Sequence, residues 1–180
     1  MVYVFLADGF EETEALAPVD ILRRCGVEVK TVGVGGDKIT GSHQITVVAD
    51  MIDTQVTTDG LDGIILPGGM PGTLNLEKSP IVNACVEYCR YNNLPICAIC
   101  AAPSILGHMG ILKGKRATCF PGFEQELIGA VLCQNELAVT DGKIVTGKGA
   151  GAAIEFGLTA AALFVGEEKS RKVREALQCE

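Results

Sequence analysis

One cysteine and one glutamate stand where this sequence could most readily do chemistry. Cys100 follows the apolar run Pro95-Ile96-Cys97-Ala98-Ile99 and precedes Ala101-Ala102-Pro103-Ser104. A short, continuous apolar run reads as a buried strand, and Pro103 suits the first turn of a helix. Cys100 therefore falls on a strand-to-helix elbow, where small neighbours let a nucleophile occupy a sharp turn. The free N–H groups and positive dipole end of the following helix would favour its thiolate. The acidic cluster Glu11-Glu12-Thr13-Glu14 opens another helix. Spacing alone favours a bland role for these acids, complementing the dipole in the first helical turn.

Other chemistry-bearing patterns are weaker. Cys97 and Cys100 have the spacing of a redox dithiol, but Cys97 lies inside the strand and not at a helix start. Cys85 and Cys89 share a helix face without a second ligand pair nearby, so no metal site is expected. Gly142-Lys143-Ile144-Val145-Thr146-Gly147-Lys148-Gly149 mimics a phosphate loop. It lacks the hydroxyl residue that would hold magnesium, and its middle reads as strand, which argues against nucleotide. Of the two histidines, His108 reads as a helix-face residue.

The elements that must position Cys100 follow from hydrophobic periodicity. Val2-Tyr3-Val4-Phe5-Leu6-Ala7 is a buried strand. Residues 12–25 carry apolar side chains at helical spacing (Leu16, Val19, Leu22), closed by Gly26. Strands are expected over 27–34, 62–67 and 95–99, with two short ones flanking Thr40-Gly41-Ser42. Ser79-Pro80 starts a helix running to about Asn92. Later strands fall near 116–119, 131–133, 137–139 and 144–146, the last two joined at Asp141-Gly142. Residues 152–165 and a charged terminal segment are helical. Continuous apolar strands alternating with helices imply an α/β fold whose mostly parallel sheet has helices on both faces. Sites in such sheets lie at the carboxyl ends of the strands. Residues 8–14, 68–72 and 100–103 meet that rule.

Bulk properties narrow the partners. The 180 residues suit one domain spanning 1–180, with 48% hydrophobic and 21% charged residues. The net charge of −7 and the lack of a basic face argue against nucleic acid. The apolar run at residues 2–7 stops at Asp8, too short for a signal peptide, and 156–165 is too short to span a membrane. Eight cysteines without a secretory signal read as reduced thiols in a cytoplasmic protein.

Several separated motifs together resemble the ThiJ/PfpI superfamily, in its deglycase-like subgroup. They are Asp8-Gly9-Phe10-Glu11-Glu12-Thr13-Glu14 with Pro18-Val19-Asp20 and Arg23-Arg24-Cys25-Gly26, then Leu66-Pro67-Gly68-Gly69, and then Ala98-Ile99-Cys100-Ala101-Ala102-Pro103. Thr146-Gly147-Lys148-Gly149-Ala150-Gly151 with Glu155-Phe156 completes the set. The resemblance implies a flavodoxin-like three-layer sandwich, a homodimer and no cofactor. It makes Cys100 the nucleophile and Glu14 its partner, protonated and donating to the thiolate. The backbone N–H groups of Gly69 and Ala101 become an oxyanion hole beside Gly68. His43 aligns near a basic residue that a partner subunit offers to the site.

Two departures stand out. Family proteases carry a histidine directly after the cysteine, where this chain has Ala101. Some members have a histidine before the later proline, where this chain has Phe120 before Pro121. A proteolytic dyad thus lacks its base. The expected activity is that of a glyoxalase or deglycase on a small carbonyl, such as methylglyoxal going to lactate. The alternative is an oxidative-stress sensor or redox-regulated chaperone using the same cysteine without turnover, and a cysteine peptidase ranks below both.

Overall fold

The computed structural model describes residues 1–179. In chain order the elements are β1 (Val2–Leu6), α1 (Glu12–Arg24), β2 (Val29–Gly33), β3 (Lys38–Thr40), β4 (Thr46–Val48), β5 (Met51–Ile52) and β6 (Gly63–Leu66). There follow α2 (Gly72–Lys78), α3 (Pro80–Tyr91), β7 (Ile96–Ile99), α4 (Pro103–His108), β8 (Arg116–Ala117) and β9 (Val131–Leu132). The chain closes with β10 (Ala138–Asp141), β11 (Ile144–Gly147), α5 (Ala153–Val165) and α6 (Glu167–Ala176).

Seven strands form one sheet in the order β10-β11-β7-β6-β1-β2-β5. All neighbours are parallel except β10 against β11, a hairpin at the edge. Strands buried on both faces must be apolar throughout, and successive residues feed opposite cores. Tyr3, Phe5, Ile64, Leu66, Ile96 and Ala98 point to the core built with α2, α3 and α4. Val2, Val4, Leu6, Ile65, Cys97 and Ile99 point to the core built with α1, α5 and α6. The result is the expected three-layer α/β sandwich.

Three details differ from the pattern reading. Helix α2 fills residues between the 68–72 loop and the Ser79 helix start for which the pattern predicts no element, and its N-cap, Pro71, offers no side-chain cap. Its anchor is the fully buried Leu76, and Thr73 N–H donates to the Gly69 carbonyl at 2.9 Å. Leu16 is 39% exposed, so α1 buries Ala15, Pro18, Val19, Ile21 and Leu22 instead. The strands at 116–117 and 131–132 pair only with each other, outside the main sheet. The helix start at Ser79 is as expected, its side chain accepting from Val82 N–H. Among the described residues no helix is long and apolar enough to cross a membrane.

Candidate active site

The three loops at the carboxyl ends of β1, β6 and β7 meet at Cys100. Cys100 has φ of 67°, in the left-handed region that non-glycine residues enter at a cost of about 1–3 kcal/mol. Two backbone bonds hold it there. Its N–H donates to the Gly147 carbonyl at 2.9 Å, and its own carbonyl accepts from Phe120 N–H at 2.8 Å. This is the elbow the apolar run and its small neighbours predict, and it turns the half-buried Cys100 out of the strand line.

Glu14 reaches the same point from α1 and is 1% exposed, which removes the bland reading for this acid. Its carboxyl group lies beside the Cys100 thiol, close enough for each to shift the other's pKa, and its Oε2 accepts from Gly68 N–H at 3.0 Å. Glu11 caps the helix instead, accepting from Glu14 N–H at 2.7 Å. Pro18, one turn further on, has no N–H to offer the Glu14 carbonyl. A Cβ at Gly68 would lie 2.6 Å from both Cys100 Cβ and Glu14 Oε2, so only glycine lets thiol and acid meet. Gly69, at φ of 89°, packs against the backbone of residues 9–11. The backbone N–H groups of Gly69 and Ala101 lie near the Cys100 sulfur and pull its pKa down. Three of the residues assigned by resemblance, Glu14, Gly69 and Ala101, thus lie around Cys100, while Gly68 binds Glu14.

The electrostatics depart from a ready-made thiolate. Burial pushes Glu14 up to about 7; the Cys100 hydrogen bond opposes this, Glu11 adds to it, and Gly68 N–H opposes it. Burial also pushes Cys100 up to about 12, followed by the Glu14 charge and hydrogen bond, while the Gly69 and Ala101 N–H groups pull it down. Two adjacent anions repel, so near neutrality the pair carries at most one negative charge. Glu14 with a pKa near 7 is well matched to take the thiol proton as a base.

Glu12 is 6% exposed and has a structural role the sequence did not signal. Its carboxylate accepts from His43 N–H at 2.9 Å and Ile45 N–H at 3.3 Å, and faces His43 Nδ1 at 3.0 Å. His43 is thereby tied to its own chain's α1, with its pKa raised chiefly by the Glu12 bond. Glu11, Glu12 and His43 each bring a ligand atom within 4.8 Å of one another, the group here best able to hold a cation. His108 is more than a helix-face residue. It sits between Glu77 at 2.5 Å and Glu126 at 2.8 Å, bridging α2, α4 and the turn at Glu124–Glu126. Both clusters join residues 18 to 31 apart in sequence through loops, a pairing that periodicity does not reveal.

An acid from the first helix, meeting a cysteine on a strained elbow at the end of a central parallel strand, defines an α/β protein of the nucleophile-elbow type. The chain belongs to the DJ-1/PfpI family, whose model matches residues 1–163. It is 34% identical to the protein dj-1beta of Drosophila melanogaster over 97% of this chain and 94% of that one. It is 33% identical to a deglycase of Pyrococcus abyssi, over 72% of this chain and 77% of the relative. The oxidized structure of Toxoplasma gondii DJ-1 superposes with a TM-score of 0.94 at 30% identity, covering 99% of this chain and 97% of that one.

Proposed function

We propose that this protein is a cofactor-free, cysteine-dependent enzyme of the glyoxalase or deglycase type acting on small reactive carbonyls. Cys100 is its nucleophile and Glu14 its proton carrier. The observation that carries this reading is the buried Glu14 carboxyl set against Cys100, beside the backbone N–H groups of Gly69 and Ala101. The name of the Pyrococcus relative, a deglycase, supports the same substrate class.

With methylglyoxal the chemistry balances without an outside electron acceptor. Glu14 takes the thiol proton and the sulfur bonds to the aldehyde carbon. The carbonyl oxygen, held by Gly69 and Ala101 N–H, gains a proton to give a hemithioacetal. Glu14 then removes the hydrogen from that carbon, and a proton returns to the neighbouring carbon through an enediol. The first carbon is oxidised to a thioester as the second is reduced to an alcohol. Water cleaves the C–S bond, releasing lactate and the free thiol.

A second reading has one observation in its favour, the oxidized form of the Toxoplasma relative. In it the sulfur takes up oxygen and signals oxidative stress without turnover. Peptidase activity is the least supported, because Ala101 follows the cysteine and both histidines pair with glutamates elsewhere. Exposed Leu16 on α1, with Ile45 and Val48 around the β3–β4 hairpin, supports a homodimer. Reduced thiols support a cytoplasmic setting. Purified protein given methylglyoxal without glutathione or added metal tests the reading. Lactate formation that vanishes in Cys100→Ser is expected; formation that survives in that variant defeats the mechanism.

A further inference from the structure

Near the Cys100–Glu14 pair, which does not itself line it, lies an open, shallow cavity of about 290 Å³ that the steps above leave unused. Phe120, Pro121, Leu137, Gly149, Gly151 and Ala152 supply its walls, and Lys148 is its one charged lining residue. Its size is at the lower end of small-molecule pockets, which run upward from about 300 Å³. The cavity is joined to the reacting centre through two residues. Phe120 is rooted to the elbow by its N–H bond to the Cys100 carbonyl, yet the residue stays 47% exposed. Gly149 lies between that ring and the acid: a Cβ there would sit 3.1 Å from the ring and 3.9 Å from Glu14 Oε1. One stretch of backbone therefore borders both the cavity and the carboxylate.

We infer that this cavity receives the substituent carried beyond the substrate's carbonyl, and that it selects a bulky apolar one. The preferred substrates are then 2-oxoaldehydes bearing an aromatic or branched alkyl group, with glyoxal and methylglyoxal too small to fill the space. The inference rests on the carbonyl chemistry proposed above and adds its substrate class. Burial of apolar surface against carbon walls is the source of the preference. Phe120 gives it a ring where a histidine would give a polar rim.

The test compares kcat/KM for phenylglyoxal and methylglyoxal in the wild type and in two variants. Gly151→Leu adds a bulky side chain at the cavity wall, where no heavy atom lies within 4 Å of a Cβ. Leu137→Asp puts a carboxylate on its wall. The wild type is expected to favour phenylglyoxal by about tenfold or more, a discrimination typical of a filled apolar pocket. Gly151→Leu should bring the ratio close to one, and Leu137→Asp should lower it severalfold. A wild-type ratio of one or less, or a ratio that both variants keep, overturns the inference. Absence of turnover with either aldehyde would instead defeat the enzymatic reading. The pocket is then judged by protection of Cys100 from iodoacetamide, read by peptide mass. Protection by phenylglyoxal at lower concentration than methylglyoxal, lost in Gly151→Leu, upholds it; equal protection overturns it.

Discussion

Cys97 and Cys100 are three residues apart, and burial raises the pKa of both thiols. Cys97 lies within β7 between Val145 and Ile65 on the neighbouring strands, with no exposed surface. Its nearest ionisable influence is another buried thiol, Cys89. Cys100 stands one step past the strand, half-buried, on a left-handed backbone, with an acid and two backbone N–H groups nearby. The same residue type in the same strand run is core filler at one position and stands half-buried beside an acid at the other. What separates them is a turn of backbone and a partner from α1, not thiol acidity in isolation.

The largest break in this comparison should come from exchanging the sulfurs. Cys100→Ser is expected to cut methylglyoxal turnover by about 10⁴-fold or more, as removal of a nucleophile does elsewhere. Cys97→Ala should cost about 1 kcal/mol in a denaturant melt and leave turnover within about twofold. Similar losses of turnover in both would erase the distinction.

Glu14→Gln sharpens it next. Keeping a hydrogen-bonding group but removing the base should lower kcat/KM by about 10²–10⁴-fold. Stability should move the opposite way. Burial raises the Glu14 pKa in the fold to about 7, from an ordinary value of 4.5. A raised acid contributes its stabilisation below the unfolded pKa and loses it as pH rises through the folded one. Urea melts at pH 5 and pH 8 should therefore show the wild type losing up to about 3 kcal/mol relative to Glu14→Gln. An unchanged difference between the two pH values would mean Glu14 is not held neutral by burial.

Gly68→Ala attacks the meeting point itself. A methyl group 2.6 Å from Cys100 Cβ and Glu14 Oε2 must push the pair apart. Turnover should fall by about 10²-fold, and the fold should lose about 1–3 kcal/mol. A variant that melts lower while keeping full turnover would show that the close approach is not needed.

The sheet and its order of strands and helices were legible because two-sided burial writes itself as continuous apolar runs at Val2–Leu6, Gly63–Leu66 and Ile96–Ile99. The elbow was legible for the same reason, since a strand ending in Cys-Ala-Ala-Pro leaves few other geometries. Glu14 was not separable from Glu11 and Glu12 by spacing; family resemblance singled it out, and burial then gave each acid a distinct role. Helix α2 and the two glutamate–histidine clusters stayed hidden. Their contacts depend on loops crossing between layers, and no periodic pattern encodes those distances.

The claim at the centre is that Cys100 and Glu14 titrate as one pair. Its most direct measurement is the rate of Cys100 alkylation by iodoacetamide from pH 5 to 10, read by peptide mass in wild type and Glu14→Gln. The wild-type rate should rise through pH about 7, as the pair gives up its first proton. In Glu14→Gln that limb should vanish and reactivity should begin only at higher pH, as for a lone buried thiol. Superimposable profiles in the two proteins would contradict the pairing.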